Sequence, residues 1–228
     1  MAPDASSNAR SDSSRDSLDN RLAAYRAQSE RQQPAIARAY DRLVTRLSSI
    51  DRGEVGPAID EPMPDFVMPN QKGELISLGL LLERGPLVIS VNRGHWCPYC
   101  RLDLRALAAA QPEFERLGGQ VVSIMPDSAG YTGAAFGGDP LPFPILSDVD
   151  LGYTLSLGLV YWVGADVASL YRELGIGLEQ YQGNDSQFLP LTAKFVVGRD
   201  GLVKARHVDI EFRQRVELAE LLRMLERQ

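Results

Sequence analysis

Residues 87–104 read LVISVNRGHWCPYCRLDL. Leu87 to Val91 carry no charge and are mostly apolar, as in a strand buried on both faces. A short loop follows, Asn92-Arg93-Gly94-His95. Cys97 then opens a helical period to Leu117 that sets Leu102, Leu104, Leu107 and Phe114 on one side. A strand passing directly into a helix is the building unit of a parallel sheet. Outward from it, Val121 to Met125 is a second buried strand, residues 128–138 a turn-rich short helix, and Pro144 to Leu146 the start of another strand. Helical stretches follow near 150–157 and 166–174. Asp65–Pro69 and Glu74–Leu78 form a hairpin closed by Asn70-Gln71-Lys72-Gly73. Lys194–Val197 and Leu202–Val208 form another across Gly198–Gly201, and Val216–Leu225 is an amphipathic helix. Parallel units flanked by hairpins, with helices on both faces, make a three-layer α/β sandwich.

Upstream the texture changes. Residues 1–17 are rich in Ser, Asp, Arg and Asn with almost no large apolar group, so a disordered tail is expected there. Residues 18–55 form a helical N-terminal extension, and residues 56–228 the main domain. Leu22, Tyr25, Ile36, Tyr40, Leu43, Val44, Leu47 and Ile50 recur at helical steps. Pro34 divides the run into two helices and sits in the first turn of the second. Two accounts of this extension stand: packing on the main domain, or a dimerisation arm.

The composition excludes several classes. The chain has 228 residues, a formal net charge of −6 and 44% hydrophobic residues, ample for a core. It lacks the basic excess of a nucleic-acid binder and any apolar run of the ~18 residues that suggest a membrane span. The first twenty residues contain no apolar h-region, so no secretory signal is expected. Two cysteines are too few for a disulfide scaffold. The expectation is a cytoplasmic protein without nucleic-acid or membrane partners.

Cys97 and Cys100 are three residues apart at a helix start. Free backbone N–H groups and the positive end of the helix dipole stabilise a thiolate there, and a cysteine pKa near ~8.5 falls to ~3.5–7.5 in such settings. Arg93 and Arg101 act in the same direction. Cβ atoms at i and i+3 lie roughly 5–6 Å apart, which suits an intrachain disulfide. Pro98 is compatible with the first turn. A zinc site needs further Cys or His ligands at paired spacing, and only His95 and His207 are available, so no metal is expected. Redox chemistry is the reading of the pair. His95 is either a solvated loop histidine or a tuner of the thiolate. Tyr99 either donates its hydroxyl to a substrate oxygen or covers the disulfide. Tyr153, Tyr161, Trp162 and Phe195 read as core. Asp148 and Asp150 read as helix caps.

Trp96-Cys97-Pro98-Tyr99-Cys100 after a buried strand resembles the redox motif of the thioredoxin superfamily. With MPDFVMPNQKGELISL before it, and PFPILSDVDLGYTLSLGL and KFVVGRDGLVKARHVD after it, residues 56–226 resemble the peroxiredoxin-like alkyl hydroperoxide reductase/thiol-specific antioxidant family, in a subgroup carrying CxxC. The resemblance implies a thioredoxin-like α/β/α sandwich. It implies reduction of hydroperoxides through a Cys97/Cys100 dithiol–disulfide cycle, without a cofactor, regenerated by a thioredoxin- or glutathione-type donor. Disulfide exchange on protein substrates and a non-catalytic redox sensor are the alternatives, and a homodimer is possible.

The family pattern P-x-x-x-T-x-x-C, laid on Val88–Val91 without a gap, puts Arg93 on the proline, Cys97 on the threonine, Cys100 on the peroxidatic cysteine and Asp103 on an acidic residue. The thioredoxin register instead makes Cys97, nearer the helix tip and more exposed, the nucleophile. The family's late arginine is replaced by Thr192-Ala193-Lys194, which leaves Lys194, Arg206 or Arg93 as stand-ins. Pro190 is the candidate for the cis-proline of thioredoxin folds, with an ordinary loop proline as the alternative.

Overall fold

The computed structural model describes residues 17–50 and 55–227. The expected tail at residues 1–17 therefore lies outside the described residues except for Ser17, which accepts a hydrogen bond from the Asn20 N–H at 3.2 Å and caps α1 (Leu18–Gln32). Pro34 occupies the first turn of α2 (Pro34–Ser48), as the sequence predicts.

Strands β1 (Val67–Pro69) and β2 (Leu75–Ser77) form the first hairpin and lead into α3 (Leu78–Leu82). Then come β3 (Leu87–Val91), α4 (Pro98–Ala109), α5 (Gln111–Arg116), β4 (Gln120–Met125), α6 (Ala129–Phe136), β5 (Ile145–Ser147) and, after one 3₁₀ turn, α7 (Gly152–Ser156). The remaining elements are β6 (Val160–Trp162), α8 (Ala165–Glu173), α9 (Leu178–Gln182), β7 (Phe188–Pro190), β8 (Thr192–Val197), β9 (Val203–Asp209) and α10 (Leu218–Glu226).

The central sheet has the order β5-β4-β3-β8-β9. β3 runs parallel to β4 and antiparallel to β8, so all five of its residues are buried. Strand alternation then supplies two cores. Leu87, Ile89 and Val91 face one with Ile36, Leu43, Val167 and Tyr171. Val88 faces the other with Leu104, Leu107, Phe114, Leu221 and Leu225. This is the thioredoxin-like three-layer sandwich, a mixed sheet with helices on both faces.

The N-terminal helices pack on the domain. Ile36, Ala39, Leu43 and Leu47 form a stripe at three- and four-residue steps that joins the first core, with α2 against α8. Leu18 and Leu22 of α1 join a third cluster with Cys97, Tyr99, Cys100 and Ala106.

Three expectations need correction. The helix predicted over 97–117 is two helices, because Pro112 has no N–H to extend α4 and instead sits in the first turn of α5. The β6–β7 ribbon and α9 were not foreseen; their residues lack the length and period that mark an element. Tyr161 and Phe195 are buried, whereas Trp162 is 47% exposed at the ribbon edge, where Arg46 lies 5.5 Å from its ring centre.

Candidate active site

The end of β3 delivers Arg93 and the start of α4 delivers both cysteines. Cys97 is the residue before α4 (φ −78°, ψ 116°) and Pro98 is the first helical residue. Gly94 (φ +149°) is required because a Cβ there would run into the Trp96 indole and the Asp127 carboxylate. Cys97 is 1% exposed and Cys100 is fully buried. The expectation that Cys97 lies more open is wrong. Leu18, Leu22 and Tyr25 of α1 cover the start of α4, which no spacing within the motif can report.

Each sulfur has its own cation. Arg93 Nη1 is 3.9 Å from Cys97 Sγ, and Arg215 Nη2 donates to Cys100 Sγ at 3.3 Å. Arg93 is wholly buried. Its guanidinium carbon lies 3.8 Å from the Phe212 ring centre, 5.3 Å from that of Trp96 and 5.6 Å from that of Tyr40. Its Nη2 donates to the Tyr171 hydroxyl, and the Tyr171 ring stands edge-on to Tyr40 with ring centres 6.2 Å apart. The aromatic faces take the place of water around the charge.

Burial by itself raises both thiols. For Cys97 that effect is outweighed by a hydrogen bond from the Cys100 thiol, then by Arg93 and Arg215, and the thiol is pulled down to about 6. Cys100 moves the other way, well above the ordinary value, through burial, its donation to Cys97 and the charge on that sulfur. The pair is therefore poised with one thiolate and one thiol, and Cys97 carries the charge.

Behind Cys100, Asp103 is buried and binds two cations. Lys194 Nζ contacts Asp103 Oδ2, and Arg215 Nε donates to the same oxygen at 3.3 Å. Lys194 also donates to Ser90 Oγ at 2.7 Å, since strand register sets Ser90 opposite Lys194. Burial and Arg215 lower the Lys194 pKa against the pull of Asp103.

A family description, the AhpC/TSA family, matches residues 59–206. The chain belongs to the AhpC/TSA family. Membership makes it a peroxiredoxin-like thiol enzyme, a peroxidase or oxidoreductase. No curated protein matches the sequence. Among solved structures it is similar to peroxidoxin BcpB from Mycobacterium tuberculosis, at 18% identity over 74% of this chain and 96% of that one, with a TM-score of 0.57. The reduced 2-Cys peroxiredoxin of Plasmodium vivax (15%, covering 75% and 81%, TM-score 0.57) and a yeast mitochondrial 1-Cys peroxiredoxin (14%, covering 75% and 75%, TM-score 0.57) share the fold.

Within this AhpC/TSA chain, the structure brings Arg93, Trp96, Cys97, Pro98, Tyr99, Cys100, Asp103 and Lys194 together and leaves other expectations aside. Pro190 lies in β7, paired with Val160, and no described peptide bond is cis, so the cis-proline expectation fails. Lys194 is bound to Asp103 and Ser90 instead of standing free for substrate. Arg206 is engaged with the Val55 and Gly56 carbonyls. The reading of His95 as solvated also fails. Its side chain is 12% exposed, with Nδ1 2.8 Å from Asp127 Oδ2 and its ring between Tyr131 and Tyr181. Tyr99 is buried edge-on against Tyr25, with ring centres 5.1 Å apart. Of the two predicted caps, Asp148 accepts from the Tyr153 and Thr154 N–H groups, whereas Asp150 (φ 62°) accepts from the Asn184 side chain and caps no helix.

Arg215, Phe212, Tyr171 and Tyr40 were missed. All four lie far from the motif in sequence, and Arg215, Phe212 and Tyr40 fall outside the matched region. The run Phe212-Arg213-Gln214-Arg215 after β9 is the one local hint, an arginine-rich turn following a strand.

No helix among the described residues is long and apolar enough to cross a membrane.

Proposed function

We propose that this chain is a CxxC-bearing member of the family that reduces hydroperoxides, with Cys97 as the attacking thiolate and Cys100 as the resolving thiol. The observation that carries the reading is the setting of Cys97. It lies at the start of a twelve-residue helix, buried beside the caged Arg93, with Cys100 one helical turn further on. The Cys97 thiolate attacks the terminal peroxide oxygen. The O–O bond breaks, sulfur is oxidised to the sulfenic acid, and the departing alkoxide takes a proton to become the alcohol. The Cys100 thiol then condenses with the sulfenic acid, forming the disulfide and releasing water. Two equivalents of an external thiol restore the dithiol and leave as their own disulfide. A thioredoxin- or glutathione-type donor fits that step. The yeast mitochondrial enzyme that shares the fold is described as resolved via glutathione/thioredoxin systems.

Arg93 and Arg215 supply the cations that stabilise negative charge on sulfur, and Asp103 holds Arg215 and Lys194 in place. Exchange with a protein disulfide is the second reading, favoured by the first cysteine being the more acidic and opposed by the burial of both sulfurs. Cys97→Ser and Cys100→Ser, each treated with peroxide and a dimedone-type probe, test the assignment. Adduct only in Cys100→Ser supports it, and adduct only in Cys97→Ser reverses the roles. If neither forms one and the wild type consumes peroxide no faster than free thiol while reducing insulin disulfides, the second reading replaces the first.

A further inference from the structure

The family match ends at residues 59 and 206, yet the space in front of Cys97 is closed from outside it. A pocket of roughly 200 Å³ reaches Cys97 and is lined on one side by Tyr25, Ser29, Gln33, Ile36 and Tyr40 of the two N-terminal helices and the joint between them. Trp96, Pro98, Tyr99, Leu174 and Ile176 of the main domain complete its lining. Its volume is below the ~300–1,000 Å³ of pockets for drug-sized ligands. Apart from Ser29, Gln33 and the tyrosine hydroxyls, the walls are aromatic or aliphatic.

The two helices are fixed in this position by independent contacts. Leu18 and Leu22 pack with Tyr99 and Cys100. Tyr40 stands edge-on to Phe212 with ring centres 5.0 Å apart. Arg213 ties α2 to the loop after β9 through Asp41 at 2.7 Å.

We propose that the N-terminal helical hairpin is a specificity-determining part of the active site: Tyr25, Ser29, Gln33, Ile36 and Tyr40 form the mouth through which a peroxide reaches Cys97, and they favour one bearing a compact apolar group. The proposal rests on the reading of Cys97 as the peroxide-reactive thiol. The hydroperoxide end meets Cys97, and the organic group lies between Tyr25, Ile36, Tyr40 and Ile176. Hydrogen peroxide gains nothing from those walls.

The test is a bulky side chain at the mouth, Ser29→Phe, with Ala24→Phe, an exposed α1 position outside the pocket, as control and Leu174→Trp, an exposed lining residue from the main domain, as an independent second variant. Oxidation of the reduced protein is followed by thiol loss with cumene hydroperoxide and with hydrogen peroxide. The filled mouth slows cumene hydroperoxide at least about tenfold and hydrogen peroxide less than about threefold, in line with what one pocket contact is worth in discrimination. An equal loss for both peroxides, or no loss in either filled variant, overturns the proposal. If the wild type consumes neither peroxide, the peroxidase reading falls and Cys97 alkylation by iodoacetamide decides the access claim. Slowing by about tenfold or more in the filled variants supports it, and an unchanged rate refutes it.

Discussion

Replacing Arg93 by Met removes the buried charge nearest Cys97 while keeping a flexible apolar chain among Phe212, Trp96 and Tyr40. Two unit charges about 4 Å apart interact by about 4 kcal/mol at an effective dielectric near 20, and Arg93 stands 3.9 Å from Cys97 Sγ. That figure is a ceiling, because the Cys100 hydrogen bond is the larger downward influence and Arg215 adds its own. A share on the order of 1–2 pKa units, or about 1–3 kcal/mol, falls to Arg93. The Cys97 thiol, pulled down to about 6 in the native site, then titrates near ~7.5, and its thiolate fraction at pH 7 drops from roughly nine-tenths to about a quarter. The more basic thiolate is intrinsically the better nucleophile, with a Brønsted slope of about 0.4–0.5 in thiol exchange. That gain offsets much of the loss, so a single rate at pH 7 is a poor readout. The informative measurement is thiolate ultraviolet absorbance against pH, paired with the pH profile of peroxide reduction. The wild-type profile levels off by about pH 7, whereas that of Arg93→Met keeps rising to about pH 8.5. A variant whose Cys97 still titrates at the wild-type pH refutes the role given to Arg93.

Stability carries the same signature. A thiol whose folded pKa lies below its unfolded value contributes stability that is fully present above the unfolded pKa and lost as pH falls through the folded one. For Cys97 that window runs from about pH 8.5 down to about 6 and is worth on the order of 3 kcal/mol. Cys97→Ser should flatten this part of the stability–pH curve of the reduced protein measured by urea unfolding, and an unchanged slope would contradict the assignment. Asp103→Ala strips the shared partner from two buried cations, Lys194 and Arg215, and should cost about 3–5 kcal/mol; a loss below about 1 kcal/mol in denaturant titration would show that the cluster relaxes. Leu22→Ala opens the contact between α1 and the start of α4 and should cost about 2–4 kcal/mol, with faster alkylation of Cys97; an unchanged melting temperature would mean that α1 does not hold. One equivalent of peroxide should remove two thiols from the reduced protein without a disulfide-linked dimer on a non-reducing gel. A dimer as the main product would contradict the intrachain bond.

Strand β3, helix α4 and the thiol pair were legible in residues 87–104 because each rests on local physics. An uncharged run suits a strand covered on both faces, a helical period sets which residues face the core, and a helix start favours an anion. The two hairpins, the division at Pro34 and the cap at Asp148 were legible for the same reason. The electrostatics around the thiols were not. Lys194 looked like a free substitute for the family's arginine until strand register set it opposite Ser90 and beside Asp103. Arg215, 115 residues from Cys100, reaches its sulfur only because the chain after β9 folds back over α4. Cys97 looked exposed because position within a helix says nothing about a second helix laid across it. The sequence alone determined which side chains can react and that they begin a helix. The tertiary structure alone decided which thiol ionises and how open it is, because Coulomb energy and burial depend on distance in space, which sequence separation does not encode.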